Sequence, residues 1–241
     1  MKQNAKADRF CQVSHTGRVR SNNQDRVLVD EPLGLWLVAD GMGGHAGGAE
    51  ASRLACEAVR ESIIHGMPLV DAFEVAHSRV RSAQELGPAV HDMGTTLVAV
   101  QERNGGFDLA WVGDSRAYRV NTAREEFECL TRDHNVAGRL YETGAITADE
   151  ARDHPQRHIL TDCIGQRDGL PTIDSRRLEW HPGDRLLLCS DGLTGEVPDA
   201  EIRRWLAAGQ PPGVTADKLV SLALEAGGRD NISLIVLDAP A

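Results

Sequence analysis

The sequence predicts an α+β protein whose antiparallel sheets carry helices on their outer faces, and three observations predict it. About ten short Val/Leu/Ile-rich runs, bounded by Gly, Asp or Asn, have the character of strands. Helical spacing comes mostly in pairs between groups of those strands rather than after each one, which suits a strict βαβ parallel sheet poorly. The 241 residues also carry no Pro/Ser-rich linker, repeat or low-complexity tract, so one domain over residues 1–241 is expected.

The elements follow in order. RFCQVS, RVLVD and LGLWLVAD are strand-like runs that lead to Asp40. Helical spacing then covers residues 49–65 and the stretch PLVDAFEVAHSRVRSAQEL, the first helix pair. GTTLVAV, FDLAWVGD, RAYRV and EFECLT return to strand character. Residues 133–166 differ, with polar helices in VAGRLYETG and TADEARDH and the charged turn RDHPQRH before ILTDCIGQ. That segment reads as a small flap lying on the main body, or as an ordinary solvated helical insertion. TIDSRRLEW and DRLLLCSD are strands, DAEIRRWLAAG and TADKLVSLALEAG a second helix pair, and NISLIVLD a last strand.

Composition excludes several partners. A formal net charge of −10 and only three lysines (Lys2, Lys6 and Lys218) leave no basic stripe to neutralise a nucleic-acid backbone. The start, MKQNAKADRFCQVS, lacks the apolar core of a signal peptide, and no run of ~18 apolar residues would span a bilayer. A cytoplasmic monomer with no membrane or nucleic-acid partner is the expectation. The five cysteines form no C-x-x-C pair. The positions six residues after each hold Gly17, Ser62, Asn135, Gly169 and Gly195, so the thiolate-plus-arginine phosphatase motif is absent.

Chemistry concentrates on aspartates. LWLVAD ends at Asp40, LAWVGD at Asp114 and LLLCSD at Asp191, while Asp230 in GGRDN opens the run ISLIVLD. One Asp beside Gly is ordinarily a turn former. Four, each against a core-forming strand, would meet at one rim if the strands lie side by side, where their repulsion calls for cations. Carboxylates without a His/Cys cluster suit Mg²⁺ or Mn²⁺ rather than zinc. Two such ions ~4 Å apart would bridge a water, lower its pKa and present hydroxide for in-line attack on phosphorus.

Three decoys fail. Gly41, Gly43 and Ala46 imitate a dinucleotide fingerprint, but the region ~20 residues on is still helical and offers no acidic strand end. Asp40 would also face a pyrophosphate with like charge, so the glycines read better as a tight backbone turn beside an ion. GDSRA around Ser115 imitates a nucleophile elbow, yet RAYRV after it is strand-like where an elbow needs a helix. No P-loop is present.

The blocks TGRVRSNNQD (16–25), VADGMGGHAGG (38–48), MGTTLVAV (93–100), WVGDSRAY (111–118), LTRDHN (130–135), LLLCSDGLTGEV (186–197) and GGRDNISLIV (227–236) closely resemble the PPM, or type 2C, metal-dependent Ser/Thr protein phosphatases in their compact bacterial form. They run in family order over nearly the whole chain. The resemblance implies a four-layer αββα sandwich, two antiparallel sheets flanked by helix pairs, with the metals at one end. It implies that Asp40 is shared by two Mn²⁺ or Mg²⁺ ions, that the Gly41 carbonyl ligates one, and that Asp191 with Asp230 complete the other. Asp114 with Asp191 resembles the pair that holds a third, weaker ion in bacterial members. Arg20 matches the arginine that grips the substrate phosphate, and Asp25 an acidic position that orders bound water.

Two departures stand out. Many eukaryotic members carry a histidine directly after the DG pair, proposed to protonate the leaving oxygen, where this chain has Met42. His45 is the nearest candidate for that acid; the alternative readings are a histidine that supports the loop or a metal-bound water, and a metal-bound water as the acid itself. Asp162 in ILTDCIGQ stands where the family often shows arginine. The implied activity is hydrolysis of phosphoserine and phosphothreonine in proteins, without a phosphoenzyme, against an opposing Ser/Thr kinase. A catalytically silent phosphoprotein-binding regulator would be expected to have lost a metal carboxylate, and all four are present. An enzyme for small phosphorylated metabolites would need a closed specificity pocket.

Overall fold

The computed structural model describes residues 9–44, 47–87 and 91–240. Ten of its strands pair antiparallel into two five-stranded sheets. The first half of the chain supplies β1 (Phe10–His15), β2 (Arg26–Asp30), β3 (Leu35–Ala39), the two-residue β4 (Gly41–Met42), α1 (Gly47–Ile64) and α2 (Leu69–Gln84). There follow β5 (Gly94–Thr95), β6 (Leu97–Arg103), β7 (Gly106–Val112), β8 (Arg116–Asn121), β9 (Glu126–Cys129), α3 (Val136–Glu142) and α4 (Ala148–Arg152). The chain closes with β10 (Asp174–Glu179), β11 (Asp184–Cys189), α5 (Asp191–Thr194), α6 (Asp199–Leu206), α7 (Pro212–Ala226) and β12 (Ile232–Asp238).

One sheet has the order β1-β12-β11-β8-β9, the other β10-β7-β6-β3-β2. Three layers of apolar side chains fix their stacking. Trp36, Val38, Val98, Val100, Phe107, Leu109, Leu186, Leu188 and Ile235 form the seam between the sheets. Leu35, Leu37, Leu97, Ala99 and Ala110 turn to the opposite face of their sheet and meet α1 and α2. Leu187, Cys189, Leu234 and Val236 do the same toward α5, α6 and α7. The alternation is the period-two geometry of a strand, with apolar residues on both faces because both faces are covered. Each fully buried Leu, Val or Phe here contributes about 1.5–3 kcal/mol. The layers therefore run α-β-β-α, as expected.

On α2 the buried set Leu69, Ala72, Phe73, Ala76 and Val80 follows the i, i+3, i+4, i+7 spacing of one helix face. Small residues line the matching face of α1, among them Ala51, Ala55, Ala58 and Val59, so the helices pack closely on each other and on the sheet.

Some boundaries differ from the sequence reading. LGLWLVAD begins as a strand only at Leu35, because residues 31–33 form a 3-10 turn closed by Gly34 at φ 61°. LLLCSD stops as a strand at Cys189, and Asp191 opens a short helix instead of ending a strand. A Cβ on Gly192 would stand 1.8 Å from the Asn231 carbonyl oxygen, so the chain turns there through a space only glycine fits. The last helix starts at Pro212, three residues before the expected run, since proline is preset for the first helical turn.

Candidate metal centre

The pairing register brings the aspartates together. Arg26 lies opposite Ala39, so Asp25, just before β2, and Asp40, just after β3, leave their strands at the same end. Val38 pairs with Val98 and Leu97 with Val112, which puts Asp114, after β7, at that end too. In the other sheet Cys189 pairs with Leu234, so Asp191 and Asp230 flank the end of β11 and the start of β12. The rim is thus shared across the sandwich: one sheet delivers three carboxylates, the other two.

Backbone and hydroxyl contacts hold this rim. The Thr96 hydroxyl accepts from the Asp40 amide at 3.0 Å and shares a 2.7 Å hydrogen bond with Ser115. The Asp40 carbonyl accepts from the Thr95 hydroxyl and the Thr96 amide, both at 2.9 Å. Ser115 is buried between β7 and β8, and the strand β8 follows it where a nucleophile elbow needs a helix. A Cβ on Gly41 would meet the Gly48 carbonyl oxygen at 2.0 Å and the Gln24 carbonyl oxygen at 2.6 Å. Glycine there lets α1 and the 16–25 loop close on the Asp40 turn backbone to backbone.

Asn231 organises the opposite side. Its amide donates to the carbonyls of Thr16 at 2.9 Å and Asn22 at 3.0 Å, while its oxygen accepts from the Gln24 amide at 2.8 Å. The Arg20 guanidinium donates to both Asp230 oxygens, Nε to Oδ1 at 2.9 Å and Nη2 to Oδ2 at 2.7 Å. Gly41, Asp40, Asp114, Asp191, Asp230 and Arg20 line a single cleft of about 710 Å³. Asp25 lies beneath it, buried, accepting from the Ser190 hydroxyl at 2.8 Å. His45 lies outside the described residues.

The electrostatics are those of crowded carboxylates. Burial, then the charges of Asp25, Asp191 and Asp114, push the Asp40 carboxyl well above the usual range. Burial, then Asp191 and Asp133, do the same to Asp114. Burial raises Asp25 to about 6, against the lowering effect of hydrogen bonds from Ser233 and Ser190. Asp191 goes the other way. Burial raises it, but the neighbouring His158 ring, the Asp40 carboxyl and the Arg20 guanidinium bring it below the ordinary value. The His158 ring nitrogen stands 3.9 Å from Asp191 Oδ2, an ion-pair distance rather than a hydrogen bond.

Divalent cations suit this donor set. Its carboxylates raise one another's proton affinity, and Asp25 Oδ1 is buried without a hydrogen-bond partner among the described residues. The described side chains do not, however, stand in a ready-made coordination geometry of three or more His, Cys, Asp or Glu groups. The reason is visible in the contacts: Asp230 is drawn to Arg20 and Asp25 to Ser190.

The flap is anchored to the same rim at both ends. The His134 amide donates to the Gly113 carbonyl at 2.9 Å, beside Asp114, and Ile164 exchanges backbone hydrogen bonds with Thr95, beside the Asp40 clamp. Asn135 pairs with Leu160 across the base. Asp162, in place of the family's frequent arginine, is buried, accepts from the Thr172 amide at 2.8 Å and holds Arg139 Nη2 at 3.0 Å. Asn231, Thr96, Ser190 and His158 escape a reading for charged ligands. The first three sit inside the blocks RDN, GTT and CSD, and His158 in the charged turn RDHPQRH, so position in a block is the signal that marks them.

None of the five cysteines forms a disulfide. Burial pushes the Cys56 thiol up to about 12 and Cys163 to about 11, and raises Cys129 and Cys189 as well. No helix of the described residues is long and apolar enough to cross a membrane.

Known proteins share this arrangement. Residues 12–217 match the protein phosphatase 2C family. The chain is 37% identical over 238 residues to the serine/threonine protein phosphatase PstP of Mycobacterium tuberculosis, covering 95% of this chain and 45% of that protein. It is 33% identical over 235 residues to the serine/threonine phosphatase stp of Listeria innocua, covering 92% of each. The crystal structure of M. tuberculosis PstP superposes with a TM-score of 0.86 at 34% identity, over 97% of this chain and 99% of that one. A structure of the PstP catalytic domain in complex with two manganese ions gives 0.82 at 33% identity, over 95% and 97%. This chain spans about half the length of full PstP but nearly the whole of stp. The fold is that of these serine/threonine phosphatase structures. The chain belongs to the protein phosphatase 2C family.

Proposed function

We propose that the chain hydrolyses phosphoserine and phosphothreonine esters in proteins, opposing a Ser/Thr kinase. The observation that carries this reading is the convergence of Asp40, Asp114, Asp191 and Asp230 from both sheets on one cleft, with Asp25 buried at the same end of its sheet. In it, Asp40, the Gly41 carbonyl, Asp191 and Asp230 would hold two divalent ions, Mn²⁺ or Mg²⁺, and Asp114 with Asp191 would hold a third. Such ions lower the pKa of water toward neutrality and so supply hydroxide at neutral pH.

The chain's own residues do the rest. Arg20 presents Nε and Nη2 as a fork that now spans the two Asp230 oxygens. The same fork matches two oxygens of a phosphate, so Arg20 exchanges Asp230 for substrate and orients the phosphorus over the carboxylates. Asp25, fixed by the Ser190 hydroxyl, keeps one oxygen for a water at the cleft floor. The departing serine or threonine oxygen needs a proton, for which His45 is the nearest titratable side chain in sequence. A cytoplasmic monomer acting on soluble phosphoproteins completes the reading.

The test is phosphate release from a phosphothreonine peptide by chelator-stripped protein, with Mn²⁺, Mg²⁺ or neither restored. Release that returns only with metal supports the reading. Release without metal, or none with it from folded protein, overturns it.

A further inference from the structure

The catalytic cleft opens into a second cleft of about 770 Å³ between the flap and the chain that follows α5. The two share Asp114, Arg157, His158, Asp191, Gly195 and Glu196. Beyond that junction the second cleft has Ala137 and Tyr141 of α3 and Ala148 and Ala151 of α4 on one side, and Val197 and Pro198 on the other. Its flap wall is held in place by the Arg139–Asp162 pair and the Asn135–Leu160 bridge.

The arginines of the two clefts divide unevenly. Arg20, Arg116, Arg132, Arg139, Arg152 and Arg229 each have a carboxylate within 4.0 Å. Arg157 is the remaining one, half-buried at the junction, and its guanidinium has no ion pair or hydrogen bond among the described residues. Of the three carboxylates that line both clefts, Asp191 faces His158 and Glu196 faces Arg229, and none of the three, Asp114 included, lies within ion-pair distance of Arg157. A guanidinium is permanently charged, and one whose donors meet no protein partner and are not sealed from the cleft offers them to whatever enters it, so a ligand that brings a carboxylate fits it best.

We propose that the substrate's polypeptide passes from the phosphorylated residue into the second cleft, where Arg157 selects a Glu or Asp next to that residue. The inference rests on the phosphatase reading. Continuity of the two clefts identifies the occupant, because a peptide bound by its phosphate at the carboxylate rim must leave by this side or the other. The apolar side chains of α3 and α4 then cover its next residues, and Arg157 reads the one at the threshold.

The test measures kcat/KM with Mn²⁺ on phosphothreonine peptides that differ only in Glu, Gln or Lys on either side of the phosphothreonine. The expected result for the wild-type chain is a preference for Glu over Gln of about tenfold on one side, the size of a charge-assisted hydrogen bond. Arg157→Gln brings that ratio to about one, and Arg157→Glu turns it toward the Lys peptide. The ratio is independent of how far either variant changes the absolute rate. Equal rates on Glu and Gln peptides by the wild type, or a preference that survives in both variants, overturn the proposal. So does an equal rise in KM for all three peptides in Arg157→Gln, which would make Arg157 a second grip on the phosphate itself. Turnover of p-nitrophenyl phosphate separates the two levels. If the wild type hydrolyses it but shows no peptide preference, only the role of Arg157 falls; if it hydrolyses neither, the phosphatase reading falls as well.

Discussion

The carboxylate rim and the flap meet at the same cleft yet are held by different forces. Asp40, Asp114, Asp191 and Asp230 adjoin strands that are buried on both faces, and Asp25 adjoins the edge strand β2, so their positions are fixed by the register of two sheets. The flap has almost no core of its own: α3 buries only Ala137 and α4 buries nothing. Side-chain contacts shape it instead. The Asn135 oxygen caps α3 through the Gly138 amide at 2.7 Å, Thr147 and Glu150 form a reciprocal capping box on α4, and Asp162 ties Arg139 to the body. Placement by the core resists substitution and suits chemistry that tolerates little displacement. Placement by exposed polar contacts is locally weaker and leaves the surface that meets a substrate adjustable.

Substitutions that separate the two regions would sharpen this contrast or break it. The largest effect is expected from Asp191→Asn, which removes a rim carboxylate while the strands that place it remain. Phosphopeptide turnover should fall by more than about 100-fold with an unchanged circular dichroism spectrum. Wild-type turnover in this variant would remove Asp191 from the metal set. Arg20→Ala should act next, raising KM for phosphopeptides roughly 10–100-fold with a smaller change in kcat, as expected for a lost charge-assisted hydrogen bond.

On the flap, Asp162→Asn should cost about 1–3 kcal/mol of unfolding free energy at neutral pH and leave kcat on a small phosphoester much closer to wild type than Asp191→Asn does. Its pH dependence has a definite sign. Burial raises the Asp162 carboxyl, but the hydrogen bonds from Thr172 and Arg139 outweigh it and leave the native pKa below 3.8. The stabilisation is therefore present above 3.8 and lost as the pH falls through the lower native value. Denaturant titrations of both proteins should converge in acid; a difference that stays constant would remove the charge as its source. The smallest effect belongs to Thr147→Ala, which deletes the α4 cap for about 1 kcal/mol. Because α4 buries nothing, amide exchange should quicken there while the global midpoint barely moves. If either flap change silenced the chemistry as fully as Asp191→Asn, the two regions would have to be regarded as one unit.

The same division governs what could be read from residues alone. The Val/Leu/Ile-rich runs and the paired helices pointed to antiparallel sheets with outer helices because burial on both faces of a strand leaves an apolar signature, and the four-layer order came from the family resemblance. Asp40, Asp114, Asp191 and Asp230 were legible as a set because each follows or precedes such a run. The Asp191 helix was not, since it depends on Gly192 passing under the Asn231 carbonyl, a contact between residues 39 apart. Arg20's hold on Asp230 spans 210 residues and has no local pattern either. The flap was visible only as a change of composition, and which of its arginines lacks a partner is decided by tertiary pairing.

The buried thiols have a consequence outside catalysis. Four of the five carry proton affinities raised by burial, so at neutral pH almost none of that sulfur is thiolate, the form that peroxide attacks. Phosphatases that work through a cysteine fall silent in an oxidising burst. On the proposed reading the phosphate is handled by oxygen ligands and needs none of that sulfur, so peroxide should leave phosphopeptide turnover unchanged.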